Sequence, residues 1–374
     1  MRSKKFILLI VVVLLLLSQT PFAYRRYKLR RLNAAIQQLK LERHEADRNG
    51  FTEYKGVVHV HSFLGGHSTG TFSDIIAAAQ ANQLQFVIMT EHAEKEFDTA
   101  AMTLKGMHGG VLFINGNEVS AANGDRLLTL PEDVSIVAYP EQFQNWNTPG
   151  LNGVEVYNVF TNARRINPIV AFFDVLWSKR SYPDLIFALY LARPDAALQK
   201  WDHALTRTKL TVTAGNDAHA NIGVSLNDSA GKTLLGIQLD PYEVSFRLVR
   251  LHVLLDQNKA LDATSLLDAV RAGNCFIGFD FLGDTDGFSF EAENAGGRKI
   301  QGDEIQLTSD TRLRVRSPIP ARIVIFKDGT IFSDNIGSSD KDVTIAERGV
   351  YRVEVYQPQL WNQLWILSNP IYVK

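Results

Sequence analysis

The sequence predicts an α/β protein, a distorted seven-stranded (β/α) barrel followed by an all-β, sandwich-like domain and preceded by a hydrophobic N-terminal helix. Three observations carry this. Between Gly56 and Asp280, seven short apolar runs, most of them separated by helical segments, call for a parallel sheet. From about Asp284 the pattern changes to short alternating runs broken by Gly, Asp, Asn and Ser, as in a sandwich. At the start, Arg2, Lys4 and Lys5 precede an unbroken apolar run from Phe6 to Leu17.

Composition bounds the rest. With 374 residues, 45% hydrophobic and 21% charged, the chain can bury a sizeable core and form two domains. A formal net charge of -1 argues against a protein held to nucleic acid by bulk electrostatics. The single cysteine, Cys275, excludes an internal disulfide and a thiolate-rich zinc site, so any metal chemistry must use His, Asp and Glu.

Residues 1–24 read as a signal-anchor or a signal peptide. The apolar run is short for a full span, which needs about 20 residues, yet the small-x-small cleavage pattern is poor, with Pro21 and Ala23 the nearest pair. That favours an uncleaved anchor over a cleaved signal, and the body is expected to be exported although Arg25, Arg26, Lys28, Arg30 and Arg31 follow the segment. Residues 25–50 form a basic helical linker, with Leu29, Leu32, Ile36 and Leu39 at three- and four-residue spacing. Two heptads are too few for a coiled coil, so it should pack locally or lie on headgroups. Asn49-Gly50 marks the start of the body.

The barrel is expected over 51–283, with strands at 57–60, 86–90, 111–114, 135–138, 154–157, 210–214 and 275–279. Helices are expected at 74–82, 169–180, 185–192, 195–206 and 263–272; the first has Ser73 as N-cap and Ile75, Ile76 and Ala79 inside. The middle helices, with Phe172, Phe173, Trp177, Phe187 and Trp201, are unusually apolar; packing on the barrel exterior is the plain reading and a membrane-facing patch the alternative. Residues 284–374 form the β-domain, where no catalytic cluster stands out.

Chemistry concentrates after the strands. His59 and His61, two apart, point to one face of a regular strand. His67, His92, Glu118, Asp217 and His219 also follow strands, where barrels of this kind place their active sites. Imidazole with carboxylate suits zinc, manganese or iron, and two ions about 3.5–4 Å apart can activate water and clamp both oxygens of a displacement.

These residues resemble the PHP (polymerase and histidinol phosphatase) superfamily of metal-dependent phosphoesterases. The likeness rests on HVHS at 59–62, TEH at 90–92, GNE at 116–118 and GNDAH at 215–219, and spans most of 56–280. It implies one ion on His59, His61, Glu118 and Asp217 and a second on His67, His92 and His219. It also implies catalytic roles for Asp217, as acceptor of a proton from water, and His219. The small-molecule substrate would be a phosphoester. The ending WILSNPIYV at 365–373 resembles the β-domain endings of membrane-anchored members, which points to packing or partner recognition.

The departures are informative. AYPE at 138–141 has Tyr139 where many members have His, and GVEVYN at 153–158 lacks the His of trinuclear sites, so two metals are expected, not three. A neutral phenol is a poor ligand, but Tyr139 could hydrogen-bond a phosphoryl oxygen. Glu91 replaces the usual Asp and could orient a ligand His. Arg164 and Arg165 could clamp an anionic substrate or simply be an exposed basic pair. Lys232 in SAGKT lacks phosphate-loop spacing, Trp201-Asp202 looks structural, and His44, His108, His203 and His252 are surface or satisfied core residues. The rival readings are an amide or carbamate hydrolase on the same metals, and a metal-stabilised binding protein without catalysis.

Overall fold

The computed structural model describes residues 2–43, 50–164, 166–221, 223–227, 233–238 and 240–374. Helix α1 (Arg2–Leu39) joins the apolar run and the basic segment, expected as two units, into one element that passes through Pro21. A proline there cannot donate to the Leu17 carbonyl four residues back. The Thr20 hydroxyl donates to that carbonyl instead, at 2.7 Å. Residues 6–17 are exposed, whereas Leu29, Leu32, Ile36 and Leu39 are buried in the main core. The basic half of α1 thus packs on the body, and the apolar half is long and apolar enough for a membrane anchor or signal sequence. Residues 44–49 of the expected linker lie outside the described residues.

The body is mixed α/β. Its strands are β1 (Phe51–Val60), β2 (Phe86–Met89), β3 (Glu91–His92), β4 (Gly106–His108), β5 (Val111–Ile114), β6 (Asn117–Ser120), β7 (Arg126–Leu130), β8 (Val134–Ala138), β9 (Leu151–Asn158) and β10 (Thr211–Gly215). Parallel pairing links β1 to β2 and β2 to β5 in one sheet. In a second sheet the order is β10-β9-β8-β7-β6-β3, parallel except around β7. Among the described residues, the strands of the expected distorted barrel are thus bonded as two sheets and not as one closed barrel. The break falls where His59 takes a left-handed φ of 67° and the β1–β2 register shifts between Val58 and Val60. Isolated bonds cross it: Asn216 N–H donates to Val58 O at 2.9 Å, and Ala218 N–H to His59 O at 3.1 Å.

The seventh expected strand belongs elsewhere. Cys275–Gly278 lies antiparallel between Arg250–Asp256, a strand the sequence reading did not anticipate, and Gln363–Ser368 near the C-terminus. Through that pairing the β-rich region after 284 enters the same hydrogen-bonded sheet as β1, where a separate two-sheet sandwich was expected. Pairing Gln363–Ser368 with Cys275–Gly278 covers edges that a free-standing module would leave open. The long strand Arg312–Lys327 bends at register shifts around residues 316–321, which contain Pro318 and Pro320. Arg352 reaches back to the helix Asp195–Leu205, bonding Asp202 through Nε and Nη2 at 2.7 and 2.8 Å.

The helices are α2 (Phe72–Ala81), α3 (Thr99–Met102), α4 (Val159–Arg164), α5 (Pro168–Ser178), α6 (Asp195–Leu205), α7 (Tyr242–Leu248) and α8 (Ala263–Ala272). Helix α2 starts one residue before the expected cap: Thr71, not Ser73, is its N-cap, in a reciprocal box with Asp74. The expected helix over 185–192 is a 3-10 turn, Leu185–Leu189. Helix α5 follows the Asn167 cap with Pro168 in its first turn. Helix α8 closes on the left-handed Gly273.

One buried charge cluster fastens β1 to the strands beyond it. His252, fully buried, donates from Nδ1 to Glu53 at 2.6 Å and faces Asp280 through Nε2 at 3.3 Å, with its ring stacked on Phe276. Burial opposes its charge, but Asp280 and Glu53 outweigh burial and raise its pKa from the usual 6.5 to about 9. Glu53 and Asp280 are in turn lowered, against burial, by His252. The histidine's contribution to stability is complete below pH 6.5 and is lost as pH rises through about 9. The carboxylates' contribution runs the other way, present above the usual carboxylate range and lost on acidification. Replacing His252 by Leu takes the shared cation from Glu53 and leaves Asp280 with Arg250, 3.3 Å away, and should cost about 3–5 kcal/mol at neutral pH. Urea unfolding of both proteins in detergent should show this gap narrowing between neutral pH and about pH 10. A gap independent of pH would mean that His252 is not charged in the native protein.

Candidate metal centre

Six of the seven expected ligands come together where β1, β3 and β10 end and β6 begins. His59 closes on Val60 at the end of β1, His61 follows it, His92 ends β3, Glu118 lies in β6, and Asp217 and His219 follow β10. His59 and His61 converge with ring centroids 5.0 Å apart, by way of the left-handed His59 and not by the regular pleat that their spacing suggests. Asp217 is also left-handed, with φ 48°. Such conformations cost about 1–3 kcal/mol each in a non-glycine residue and persist where the surroundings fix them. Here the crossing bonds to Val58 and His59 carbonyls do so.

Two carboxylate oxygens sit among four imidazoles. Glu118 Oε2 lies 3.4, 3.7 and 3.3 Å from nitrogens of His59, His61 and His92. Asp217 Oδ1 lies 3.6, 3.5 and 3.3 Å from those of His59, His61 and His219. The other oxygen of each is held by a fixed donor. Arg126 Nη1 donates to Glu118 Oε1 at 2.7 Å; the Tyr139 hydroxyl and Asn158 Nδ2 donate to Asp217 Oδ2 at 2.9 and 3.1 Å. The Nδ1–H of His219 donates to the Asp217 carbonyl at 2.9 Å, which leaves its Nε2 as the basic nitrogen.

The inward-facing atoms are short of partners. Both ring nitrogens of His61 and Asp217 Oδ1 are buried without a hydrogen bond among the described residues. A buried polar atom left so costs about 1–3 kcal/mol, and lone pairs of neutral imidazole and carboxylate are what a divalent cation binds. The donors fall into two groups that could hold an ion, His61 with His92 and His219, and His59 with His61 and Glu118; in each group the donor atoms lie within 4.8 Å of one another. His61 belongs to both, whereas the resemblance implied separate ligand sets. Burial lowers the His61 pKa to about 3, so the ring is neutral. Burial opposes charge on Glu118, but His59 and Arg126 bring its pKa down to about 2.

The remaining expectations resolve differently. His67 is exposed at the rim, its ring edge-on to His92 at 5.0 Å, and belongs to neither donor group. Tyr139 holds a carboxylate that faces the ligands, its hydroxyl donating to Asp217 Oδ2 at 2.9 Å. Glu91 accepts from Ser62 N–H at 2.9 Å and from the Thr103 hydroxyl at 2.7 Å, and so braces the loop that follows His61. Arg164 ends α4 with its side chain outside the described residues, and Arg165, Lys232 and His44 lie outside them altogether.

Three contributors were missed. Glu155, in the middle of β9, is buried and accepts from His59 Nδ1–H at 2.8 Å; Asn158 Nδ2 bridges it to Asp217. The signal was a lone carboxylate in the otherwise apolar VEV of a buried parallel strand. Gly215 makes room for it, since a Cβ there would lie 2.0 Å from Glu155 Oε2. Arg126 and Asn158 carried no comparable local signal.

Glu155 is the outer partner that fixes the His59 tautomer. Glu155→Gln should weaken zinc or manganese binding by about 10–100-fold in equilibrium dialysis. Unchanged affinity would show that His59 is not a ligand held by Glu155. Set against known proteins, the chain matches no family model, no curated protein and no solved structure.

Proposed function

We propose that this protein is a membrane-tethered, metal-dependent hydrolase of the PHP type that acts on phosphoesters. The observation that carries this reading is the pair of carboxylate oxygens, Glu118 Oε2 and Asp217 Oδ1, that face buried imidazoles and have their outer oxygens already held. The two donor groups that share His61 support two cation positions, filled by zinc, manganese or iron. When bound, such ions supply Lewis acidity toward a phosphoryl oxygen and bring the pKa of water toward neutrality.

The chain's own residues do the rest. Arg126 keeps Glu118 ionised and directed inward, while Tyr139 and Asn158 fix Asp217 by its outer oxygen. Asp217 Oδ1 serves as the acceptor of a proton from water, and His219, anchored by its Nδ1–H on the Asp217 carbonyl, offers the Nε2 lone pair toward the cation. Burial of His59, His61, Glu118 and Asp217 excludes bulk water from the ligands. We read the strand succession as a distorted barrel: β1, β2 with β3, β5 with β6, then β7 to β10, returning to β1 through the Val60–Ala218 bridge. Helix α1 serves as a retained anchor, because Gln19, Phe22, Arg25 and Arg26 on it all contact α5 or the turn after it.

The test is turnover of p-nitrophenyl phosphates and phosphodiesters against aryl amides and carbamates, with each of the three metals. Phosphoester hydrolysis is expected, and Asp217→Asn should lower it by about 10²–10⁴-fold. Cleavage of amides or carbamates alone would replace the phosphoester reading. Metal binding without turnover of either class would point to a binding protein.

A further inference from the structure

Helix α5 is built inside out. Its one charged residue, Asp174, and its Ser178 are buried against the protein, four residues apart on one face. Ile169, Phe172 and Leu176 are 68%, 55% and 66% exposed on the opposite face. A surface helix of a water-facing protein shows the reverse pattern. The plain reading of this apolar segment, packing on the barrel exterior, therefore fails for these three side chains, and neighbouring exposed apolar residues of this kind mark a covered surface.

The structure says what lies beside that face. Helix α5 is clamped to α1 at the point where α1 changes from exposed apolar to basic. Phe22 stacks on Phe173 with centroids 4.8 Å apart, and Gln19 Oε1 accepts from Trp177 Nε1 at 3.1 Å. Arg25 grips Asp174 through Nε and Nη2 at 2.8 and 2.7 Å, Tyr190 bonds the same carboxylate, and Arg26 bonds the Trp177 carbonyl. Along α1 from this junction, residues 6–17 run outward as exposed apolar side chains in one direction. In the other come the exposed Tyr24, Tyr27, Arg30 and Arg31, the residue types that sit at lipid headgroups.

We infer that α5 is an interfacial helix that presses Ile169, Phe172 and Leu176 into the lipid bilayer beside the anchor, so that the body is seated on the membrane surface. The inference rests on α1 being a bilayer anchor and not on the hydrolase reading. An amphipathic helix lying in the interface buries its apolar face to the headgroup and acyl boundary, and α5 presents such a face with its polar groups already satisfied by protein. The seat is close to the candidate centre: α4, which ends four residues before α5 begins, places the Phe160 ring 5.4 Å from that of His219.

Because the chain's single cysteine, Cys275, is fully buried, spin labels can be placed at chosen surface positions of the full-length protein. Phe172→Cys and Leu176→Cys, with Leu14→Cys in the anchor and Lys105→Cys on the body as references, are labelled and set in nanodiscs of phosphatidylcholine and phosphatidylglycerol. Collision with oxygen should dominate over collision with a polar nickel complex at residues 172 and 176, as at 14, and the reverse should hold at 105. Water-like values at 172 and 176 with lipid-like values at 14 would overturn the seat and leave the anchor standing. Water-like values at 14 as well would remove the anchor and the seat together. Protection of 172 and 176 from both reagents, with spin–spin broadening, would assign the face to a second copy and also overturn the inference.

Discussion

Charge removed from water is the constraint on which this structure turns. Glu118, Asp217 and Glu155 are carboxylates buried to within a few per cent of full enclosure, together with His59 and His61. Isolated, each would cost several kcal/mol and would be protonated instead. The chain answers by dividing each carboxylate. One oxygen goes to a donor fixed by the fold: Arg126 for Glu118, Tyr139 and Asn158 for Asp217, Asn158 for Glu155. The other is turned to imidazole. What remains unsatisfied among the described residues, His61 on both nitrogens and Asp217 on Oδ1, lies at the middle of the cluster, where a cation would complete the pairing.

The backbone is shaped to the same end. Three residues of the cluster, His59, Tyr139 and Asp217, hold left-handed φ values that side chains with a Cβ rarely adopt. Each sits where a strand gives way to a loop, and the sheet is interrupted at the first of them. The interruption and the convergence are one feature: a straight, fully paired β1 would keep His59 in the ladder and could not let Ala218 and Asn216 bond to its carbonyls from across the gap.

Much of the site was legible because ligand chemistry leaves local marks. His59, His61, His92, Glu118, Asp217 and His219 are short polar interruptions directly after apolar runs, and that pattern located them without any tertiary information. His67 carries the same mark but stays at the rim, since nothing in a loop sequence says how far its side chain reaches. The outer partners were hidden for a different reason. Arg126 is an unremarkable residue at the start of a strand, and only the antiparallel pairing of β6 with β7 brings it to Glu118. In the fold, runs of apolar residues gave the strands but not their neighbours. The stretch 275–279 reads like the earlier parallel strands, yet its partners are Arg250–Asp256, where Arg250 and His252 obscure the apolar pattern, and a strand nearly ninety residues onward. Residues 1–24 and 25–50 likewise read as two units, yet α1 runs through both, the Thr20 hydroxyl taking the Leu17 carbonyl that Pro21 cannot reach.

The central claim, that the cluster is a cation site, is tested most directly by anomalous X-ray scattering from crystals of the full-length protein loaded with manganese or zinc. The account predicts anomalous density enclosed by Glu118 Oε2, Asp217 Oδ1 and the imidazoles of His59, His61, His92 and His219, and its loss in His61→Ala. Crystals with metal in the solution but no density at that position would contradict it.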